Sequence, residues 1–205
     1  MINDFIEIYD NEEKLFSVAD VVTWFENNYD SNKSKESGLS YFNQHRQRIC
    51  TSKTMDFGQN YEPNDVIYYL VNEAKNQYIE TYSHLKILQW RLCPFYNIQK
   101  YNGPEEGFFS LHSEQSGRYP YRMLAWMIYL NDAKSGTEFL YQKRTVTPKV
   151  GRTVIWPAGW THPHKGVTPN IGVKYIATGW FYYLPKGEPK FDGRHPDENI
   201  QEIVV

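Results

Sequence analysis

Four residues have the types and the spacing of a redox metal site. His112 and Glu114 lie two positions apart, His164 follows about fifty residues later, and Lys174 lies ten residues beyond it. Two imidazoles and one carboxylate can bind one face of a ferrous ion and leave positions open for a bidentate cosubstrate and for dioxygen. On a β-strand, alternation would send His112 and Glu114 to the same face of the sheet. The third ligand must then come from a distant strand.

Two histidines compete for the distal ligand position, since the sequence reads Trp160-Thr-His162-Pro-His164-Lys-Gly166. On a strand they share a face, but Pro163 perturbs strand pairing, so only one of them is expected to point at the metal. We prefer His164. His162 is then expected to be a surface histidine or one that supports a ligand.

Lys174 is a charged residue in an otherwise apolar segment, Gly172-Val-Lys-Tyr-Ile-Ala-Thr-Gly-Trp180. A buried lysine without a partner is disfavoured by several kcal/mol. An inward Lys174 would therefore imply an anionic ligand, whereas an outward one would be a solvated lysine. The alternation of the segment leaves both orientations open.

Composition sets the broad class of the protein. A chain of 205 residues with a net charge of −2 predicts a single domain and gives no general electrostatic footprint for nucleic acid. Cys50 and Cys93 form no Cys-x-x-Cys motif, which favours a reducing compartment. Acidic residues interrupt the N-terminal hydrophobic residues, and no run approaches the roughly eighteen apolar residues of a membrane span. We therefore expect a cytoplasmic protein with no membrane partner.

The periodicity of the hydrophobic residues predicts helices in the N-terminal part of the chain and strands in the part that follows. Apolar stripes predict a helix over 14–29 and one long or two shorter helices over 63–88, with irregular connection over about 30–60. Short alternating runs separated by turn residues follow Pro94 and are typical of a barrel or sandwich. The candidate strands are 96–101, 108–114, 123–130, 137–141, 145–148, 153–156, 162–167 and 173–182.

These elements predict an α+β fold, with a jelly-roll core (a double-stranded β-helix) of about eight strands supported by N-terminal helices. The single domain 1–205 is expected to comprise a helical support region over 1–91 and a catalytic core over 92–185. Residues 186–205, rich in Pro, Gly and charge, are expected to form a C-terminal surface arm with partial disorder.

The ordered motifs of residues 95–182 resemble those of the iron(II)- and 2-oxoglutarate-dependent dioxygenases, in their prolyl-4-hydroxylase-like branch. The motifs are Ile98-Gln-Lys-Tyr101, His112-Ser-Glu114, Met127-Ile-Tyr-Leu-Asn-Asp132, Gly136-Thr-Glu-Phe139, Val146-Thr-Pro-Lys-Val-Gly-Arg-Thr-Val-Ile-Trp-Pro157, His164-Lys-Gly-Val167, and Lys174 with Trp180. The ten-residue step from His164 to Lys174 matches the branch that binds the distal carboxylate of 2-oxoglutarate with lysine, and it favours His164 over His162.

The resemblance implies roles for eight residues. It implies Fe(II) as cofactor, 2-oxoglutarate and O2 as cosubstrates, and ascorbate as a reductant. The implied metal ligands and catalytic residues are His112, Glu114 and His164, the cosubstrate-binding residues are Lys174, Tyr129 and Tyr101, and the substrate-binding residues are Arg122 and Trp180.

One ligand departs from the family pattern, because most members have Asp where this chain has Glu114. Glutamate is longer by one methylene group but keeps the carboxylate. Halogenating relatives replace this residue with Gly or Ala to make room for chloride, so Glu114 favours hydroxylation.

The resemblance favours a prolyl residue in a peptide or protein as the substrate. Free proline, another amino acid or a small metabolite is the alternative. A peptide enzyme should have an open groove with a flap around 115–122, whereas a free-amino-acid enzyme should present a second charged clamp. Nucleic-acid demethylation is not expected, because the Arg-x-Asn-x-x-x-x-x-Arg pattern of that branch is absent around Lys174. An alternative that is not an enzyme is a catalytically silent, cupin-like metal-binding module. A structural metal site is usually closed by a fourth protein ligand, so a set of three ligands with Lys174 argues against this alternative.

Overall fold

The computed structural model describes residues 3–12, 15–29, 35–39, 46–169 and 171–184. The predicted C-terminal arm, 186–205, lies outside these residues. None of the helices in the described ranges is long and apolar enough to cross a membrane.

Two α-helices and a short 3-10 helix support the sheet on one side. Helix α1 spans Leu15–Asn28, α2 spans Pro63–Thr81, and the 3-10 helix spans Ser83–Ile87. Both predicted helical regions are confirmed, the second as two helices. Proline suits the first turn of α2, where its missing N–H has no intrahelical partner. The apolar stripes face the sheet and are buried at Val18, Val21, Phe25, Ile67, Leu70, Val71, Ala74 and Tyr78.

Antiparallel strands form two sheets. The strands are β1 (Glu7–Tyr9), β2 (Lys35–Leu39), β3 (Arg46–Asp56), β4 (Trp90–Asn102), β5 (Gly107–Phe108), β6 (Arg122–Tyr129), β7 (Gly136–Phe139), β8 (Arg144–Val146), β9 (Thr153–Pro157), β10 (His164–Val167) and β11 (Val173–Tyr183). The large sheet has the order β1-β9-β6-β11-β4-β3-β2, and β5 pairs with β3. The small sheet has the order β10-β7-β8. This architecture is the predicted jelly-roll core with N-terminal helices.

Two predictions of local structure are wrong. Residues 30–60 are not simply an irregular connection, because β2 and β3 occupy much of that range and β3 pairs with β4 from Thr51 to Asp56. The strand predicted over 108–114 ends at Phe108. In both places, pairing with distant strands outweighs the local pattern. Strands β1 to β3 thus lie within 1–91 and extend the same sheet as the core strands.

The central strands separate two hydrophobic clusters. On β6, Leu124, Trp126 and Ile128 pack in the cluster that includes the helices, whereas Ala125, Met127 and Tyr129 point into the space between the sheets. Alternation along β11 likewise places Lys174, Ile176 and Trp180 on one face. The cluster between the sheets therefore shares its space with the candidate site.

Gly179 on β11 is expected to tolerate no side chain. A Cβ there would lie 2.5 Å from Cζ2 and 2.7 Å from Cε2 of Trp126, whose indole is fully buried. Gly179→Ala should therefore lower the free energy of unfolding by about 2–3 kcal/mol. Chemical denaturation would measure this loss. Gly117→Ala is the control, since a Cβ at Gly117 meets no atom within 4 Å; equal effects of the two variants would contradict the prediction.

Candidate active site

The two histidines that are candidate metal ligands lie opposite each other on paired backbone segments. The N–H of His112 donates to the carbonyl of His164 at 3.0 Å, and the N–H of His164 donates to the carbonyl of His112 at 2.8 Å. This isolated antiparallel bridge replaces the strand predicted around His112. His164 begins β10, which pairs with β7 opposite Phe139. The small sheet therefore brings the distal histidine to the histidine–glutamate pair.

The side chains of His112, Glu114 and His164 converge. Oε1 of Glu114 lies 3.5 Å from Nε2 of His112 and 3.4 Å from Nε2 of His164. One potential ligand atom from each residue lies within 4.8 Å of the other two. These three residues are the ones that the sequence singles out as metal ligands.

Backbone carbonyls orient both imidazoles. Nδ1 of His112 lies 3.0 Å from the carbonyl oxygen of Ser110, and Nδ1 of His164 lies 3.0 Å from that of His162. A carbonyl can only accept, so each Nδ1 carries a proton, which leaves Nε2 as the atom of each ring that binds a metal once it has lost its own proton. The ring of Phe108 also stacks on His112 at 3.7 Å between centroids. Two pre-oriented imidazoles and a carboxylate form a donor set that fits Fe(II).

The carboxylate of Glu114 is ionised and held on both sides. Its Oε2 accepts hydrogen bonds from Nε1 of Trp180 at 2.8 Å and from Nη1 of Arg122 at 3.2 Å. Burial by itself would raise the pKa of Glu114, but hydrogen bonds and charge from His112 and His164 outweigh it and hold that pKa well below its ordinary value. Arg122 and Trp180, predicted to bind substrate, thus also contact a candidate metal ligand.

His162 lies outside this cluster. Its Nε2 donates to the carbonyl of Asp4 at 2.9 Å, and its Nδ1 lies 2.9 Å from the hydroxyl of Thr161. Burial lowers the pKa of His162, which favours the neutral ring. The side chain therefore ties residues near the N-terminus to the core, while its carbonyl orients His164.

Lys174 points inward, which resolves the alternative that the sequence leaves open. The residue is 3% exposed, and burial lowers its pKa to about 8. Within the described ranges, its Nζ has one hydrogen bond, to the carbonyl of Val167 at 3.4 Å, and it lies 4.9 Å from the ring centroid of Tyr101. No described carboxylate forms an ion pair with it. A buried cation in this state is poised for an anion.

The two predicted pocket tyrosines lie on the two strands that flank the strand of Lys174. Tyr101 on β4 is directly opposite Lys174, and Tyr129 on β6 is opposite Ile176. The hydroxyl of Tyr101 donates to Oε1 of Gln99 at 2.7 Å. The hydroxyl of Tyr129 donates to the carbonyl of Val146 at 3.2 Å and lies 2.9 Å from Oγ1 of Thr137. Burial raises the pKa of both tyrosines, so both are protonated.

Sequence reasoning missed the aromatic walls of the site. Trp156 meets His164 edge to face with ring centroids 5.1 Å apart, and Phe139 lies 5.4 Å from the same ring. Both residues belong to motifs of the family resemblance, and alternation on β9 would place Trp156 inward. The contacts themselves depend on how the two sheets pack.

Residues 96–182 match the family model of the 2OG-Fe(II) oxygenase superfamily. None of the curated protein sequences compared with the chain matches it.

Solved structures share the fold across most of the chain. A viral collagen prolyl hydroxylase from Paramecium Bursaria Chlorella virus-1, in complex with 2OG, has a TM-score of 0.62 at 17% identity, covering 88% of this chain and 97% of its own. A Pseudomonas putida prolyl-4-hydroxylase has a TM-score of 0.64 at 17% identity, covering 89% and 95%. A Trichoplax adhaerens prolyl hydroxylase, in complex with a hypoxia inducible factor peptide fragment, has a TM-score of 0.66 at 17% identity, covering 88% and 84%. Residues 96–182, which contain the three candidate metal ligands, thus match the 2OG-Fe(II) oxygenase superfamily, and most of the chain shares the fold of these prolyl hydroxylases.

Proposed function

We propose that this protein is an Fe(II)- and 2-oxoglutarate-dependent dioxygenase that hydroxylates a prolyl residue in a peptide or protein. One observation carries the proposal: the converging donor atoms of His112, Glu114 and His164 lie in the same space between the sheets as the buried, inward ammonium of Lys174. A metal site with open positions beside a cation suits a chelating, dianionic cosubstrate.

His112, Glu114 and His164 would hold the metal through the two Nε2 atoms and the carboxylate. When bound, Fe(II) supplies the oxidation of a substrate C–H bond by O2, coupled to the conversion of 2-oxoglutarate to succinate and carbon dioxide. The carbonyls of Ser110 and His162 keep the imidazoles in the tautomer that binds metal. Phe139 and Trp156 cover His164 and exclude water from that side of the site.

Lys174 would bind the distal carboxylate of 2-oxoglutarate. Its Nζ lies beside Gly166 and Val167, two and three residues along β10 from His164. Two residues of strand span about 7 Å, a distance that suits a short dicarboxylic acid. Tyr129 and Tyr101 would line the same pocket, with Tyr129 contributing its hydroxyl and Tyr101 its ring face near the ammonium.

An exposed segment next to Glu114 favours a peptide over a free amino acid. Residues 116–121 are exposed and lead into Arg122, whose guanidinium lies 3.9 Å from the ring centroid of Tyr119. That guanidinium already bonds Glu114, so it is not a free clamp for an amino-acid carboxylate. Contact of Arg122 and Trp180 with the substrate remains part of the proposal. The structural relative from Trichoplax adhaerens is itself a peptide complex.

The cellular compartment and the reductant are also part of the proposal. Cys50 and Cys93 are both free and buried, which suits a reducing cytoplasm. Ascorbate is the proposed reductant that returns the iron to the ferrous state after uncoupled turnover.

Succinate formation tests this function directly. Purified protein with Fe(II), 2-oxoglutarate and O2 should release succinate slowly on its own and faster with proline-rich peptides, and mass spectrometry should find a peptide heavier by one oxygen atom. Samples without iron are the control. Succinate formation that no peptide stimulates would indicate a small-molecule substrate. A lack of succinate with ample iron would favour the catalytically silent metal-binding module.

The affinity for 2-oxoglutarate is expected to fall at alkaline pH. Burial lowers the pKa of Lys174 to about 8, and only the protonated amine attracts a carboxylate. Affinity should therefore be nearly constant below pH 8 and fall up to about tenfold per pH unit above it. Calorimetry of the Co(II)-loaded protein would measure this, and binding should take up a proton only above pH 8. An affinity unchanged between about pH 7 and 9.5 would contradict this prediction.

A further inference from the structure

We propose that Arg122 and Trp180 form a carboxylate clamp, which holds Oε2 of Glu114 and leaves Oε1 as its only oxygen for the metal. The inference rests on the proposed function and deepens it, because it makes these two side chains positioning residues for a ligand. The sequence predicts Arg122 and Trp180 only as substrate contacts, so the positioning of Glu114 is an additional role.

The hydrogen bonds of Glu114 separate its two oxygens. Oε1 faces the two imidazoles at 3.4–3.5 Å, and Oε2 accepts from the indole of Trp180 at 2.8 Å and from Arg122 at 3.2 Å. The same Nη1 atom of Arg122 also lies 3.2 Å from the backbone carbonyl of Glu114. Arg122 thus holds both the main chain and the side chain of this residue.

The clamp is rigid because its two members support each other. The guanidinium of Arg122 lies 3.5 Å from the ring centroid of Trp180, with Tyr119 on another side at 3.9 Å. Trp180 on β11 pairs with Ala125 on β6, the strand that Arg122 begins, so both side chains project from one continuous piece of sheet. The side chains of Arg122 and Glu114 are 11% and 13% exposed, so solvent screens their ion pair only weakly.

The clamp matters because the ligand is a glutamate. Its longer side chain has one more rotatable bond than an aspartate, and a free carboxylate could turn to offer both oxygens to the metal. Two-oxygen binding would occupy a position that the cosubstrate needs. Hydrogen bonds at Oε2 prevent that rotation.

The first experiment tests the contact without metal. Trp180→Phe removes one indole N–H signal from the nitrogen–proton NMR spectrum and thereby assigns it. We expect that signal to shift clearly in Glu114→Ala, because the hydrogen bond to Oε2 is lost. An indole signal that does not move in Glu114→Ala would overturn the proposal.

The second experiment tests the consequence for the metal. By calorimetry, Trp180→Phe should bind Co(II) about 10- to 100-fold more weakly than the wild type and with an altered visible spectrum. Arg122→Gln should change both in the same direction. Trp160→Phe, at an indole residue that is 76% exposed, is the matched control and should bind Co(II) like the wild type. Circular dichroism would confirm that each variant is folded.

The outcomes separate the clamp from the proposed function. If Trp180→Phe binds Co(II) like the wild type and only raises the KM for peptide, the clamp is overturned and the side chain is a substrate contact. If the wild type itself binds no Co(II), the proposed function falls and the positioning role falls with it, whereas the indole signal still reports whether the contact exists.

Discussion

His164→Ala is expected to abolish both metal binding and succinate formation, whereas His162→Ala keeps both and weakens the fold. His164 presents Nε2 at 3.4 Å from Oε1 of Glu114, so alanine removes one of three donors. The loss of metal affinity should exceed about 100-fold, since even residues that only support a ligand are worth 10- to 100-fold. Calorimetry with Co(II) and an assay of succinate would measure the two effects.

His162 provides a matched control two residues away. Its ring donates to the carbonyl of Asp4, and alanine would remove the partner of that partly buried carbonyl at a cost of about 1 kcal/mol in the free energy of unfolding. Its own backbone carbonyl remains in the variant and still orients His164. Loss of metal in His162→Ala with retention in His164→Ala would reassign the distal ligand to His162.

Lys174→Met is expected to destroy the binding of 2-oxoglutarate and to stabilise the fold. The ammonium is almost fully buried without an ion-pair partner in the described part of the chain, so an apolar side chain of similar length removes an uncompensated charge. The free energy of unfolding should rise by about 1–3 kcal/mol at neutral pH. Affinity for 2-oxoglutarate should fall about 100-fold or more, since a buried charge pair loses one partner. Denaturation in guanidinium chloride and calorimetry of the Co(II)-loaded protein would measure the two changes.

The stability gain should depend on pH. The folded pKa of Lys174, about 8, lies below the ordinary value of 10.5, so the folded protein binds fewer protons between these values. The penalty in the wild type therefore shrinks as the pH rises from 8 towards 10.5, and the advantage of Lys174→Met should shrink with it.

Lys165→Met is the control for Lys174→Met. The side chain of Lys165 is 41% exposed and pairs with Glu138 at 3.5 Å on the surface, so both the stability and the affinity should change little. An unchanged affinity for 2-oxoglutarate in Lys174→Met would show that the cosubstrate carboxylate binds elsewhere.

The sequence alone determined the supporting helices, most core strands and the set of candidate donors. The stripes of α1 and α2 and the alternation of β6 and β11 follow from local geometry, because one face of each element must be buried. Motif order likewise indicated the histidine–glutamate pair, the distal histidine and the lysine before any contact was known.

Only the tertiary structure decided how these residues meet. His112 and Glu114 do not lie on the predicted strand, because His112 pairs through a single bridge with His164 from another sheet. Side-chain direction decides that Lys174 points inward. Contacts between separate segments decide that His162 bonds Asp4 and that Trp180 and Arg122 bond Glu114. Strands β2 and β3 form for the same reason: their pairing partners supply backbone hydrogen bonds that a polar local sequence does not reveal.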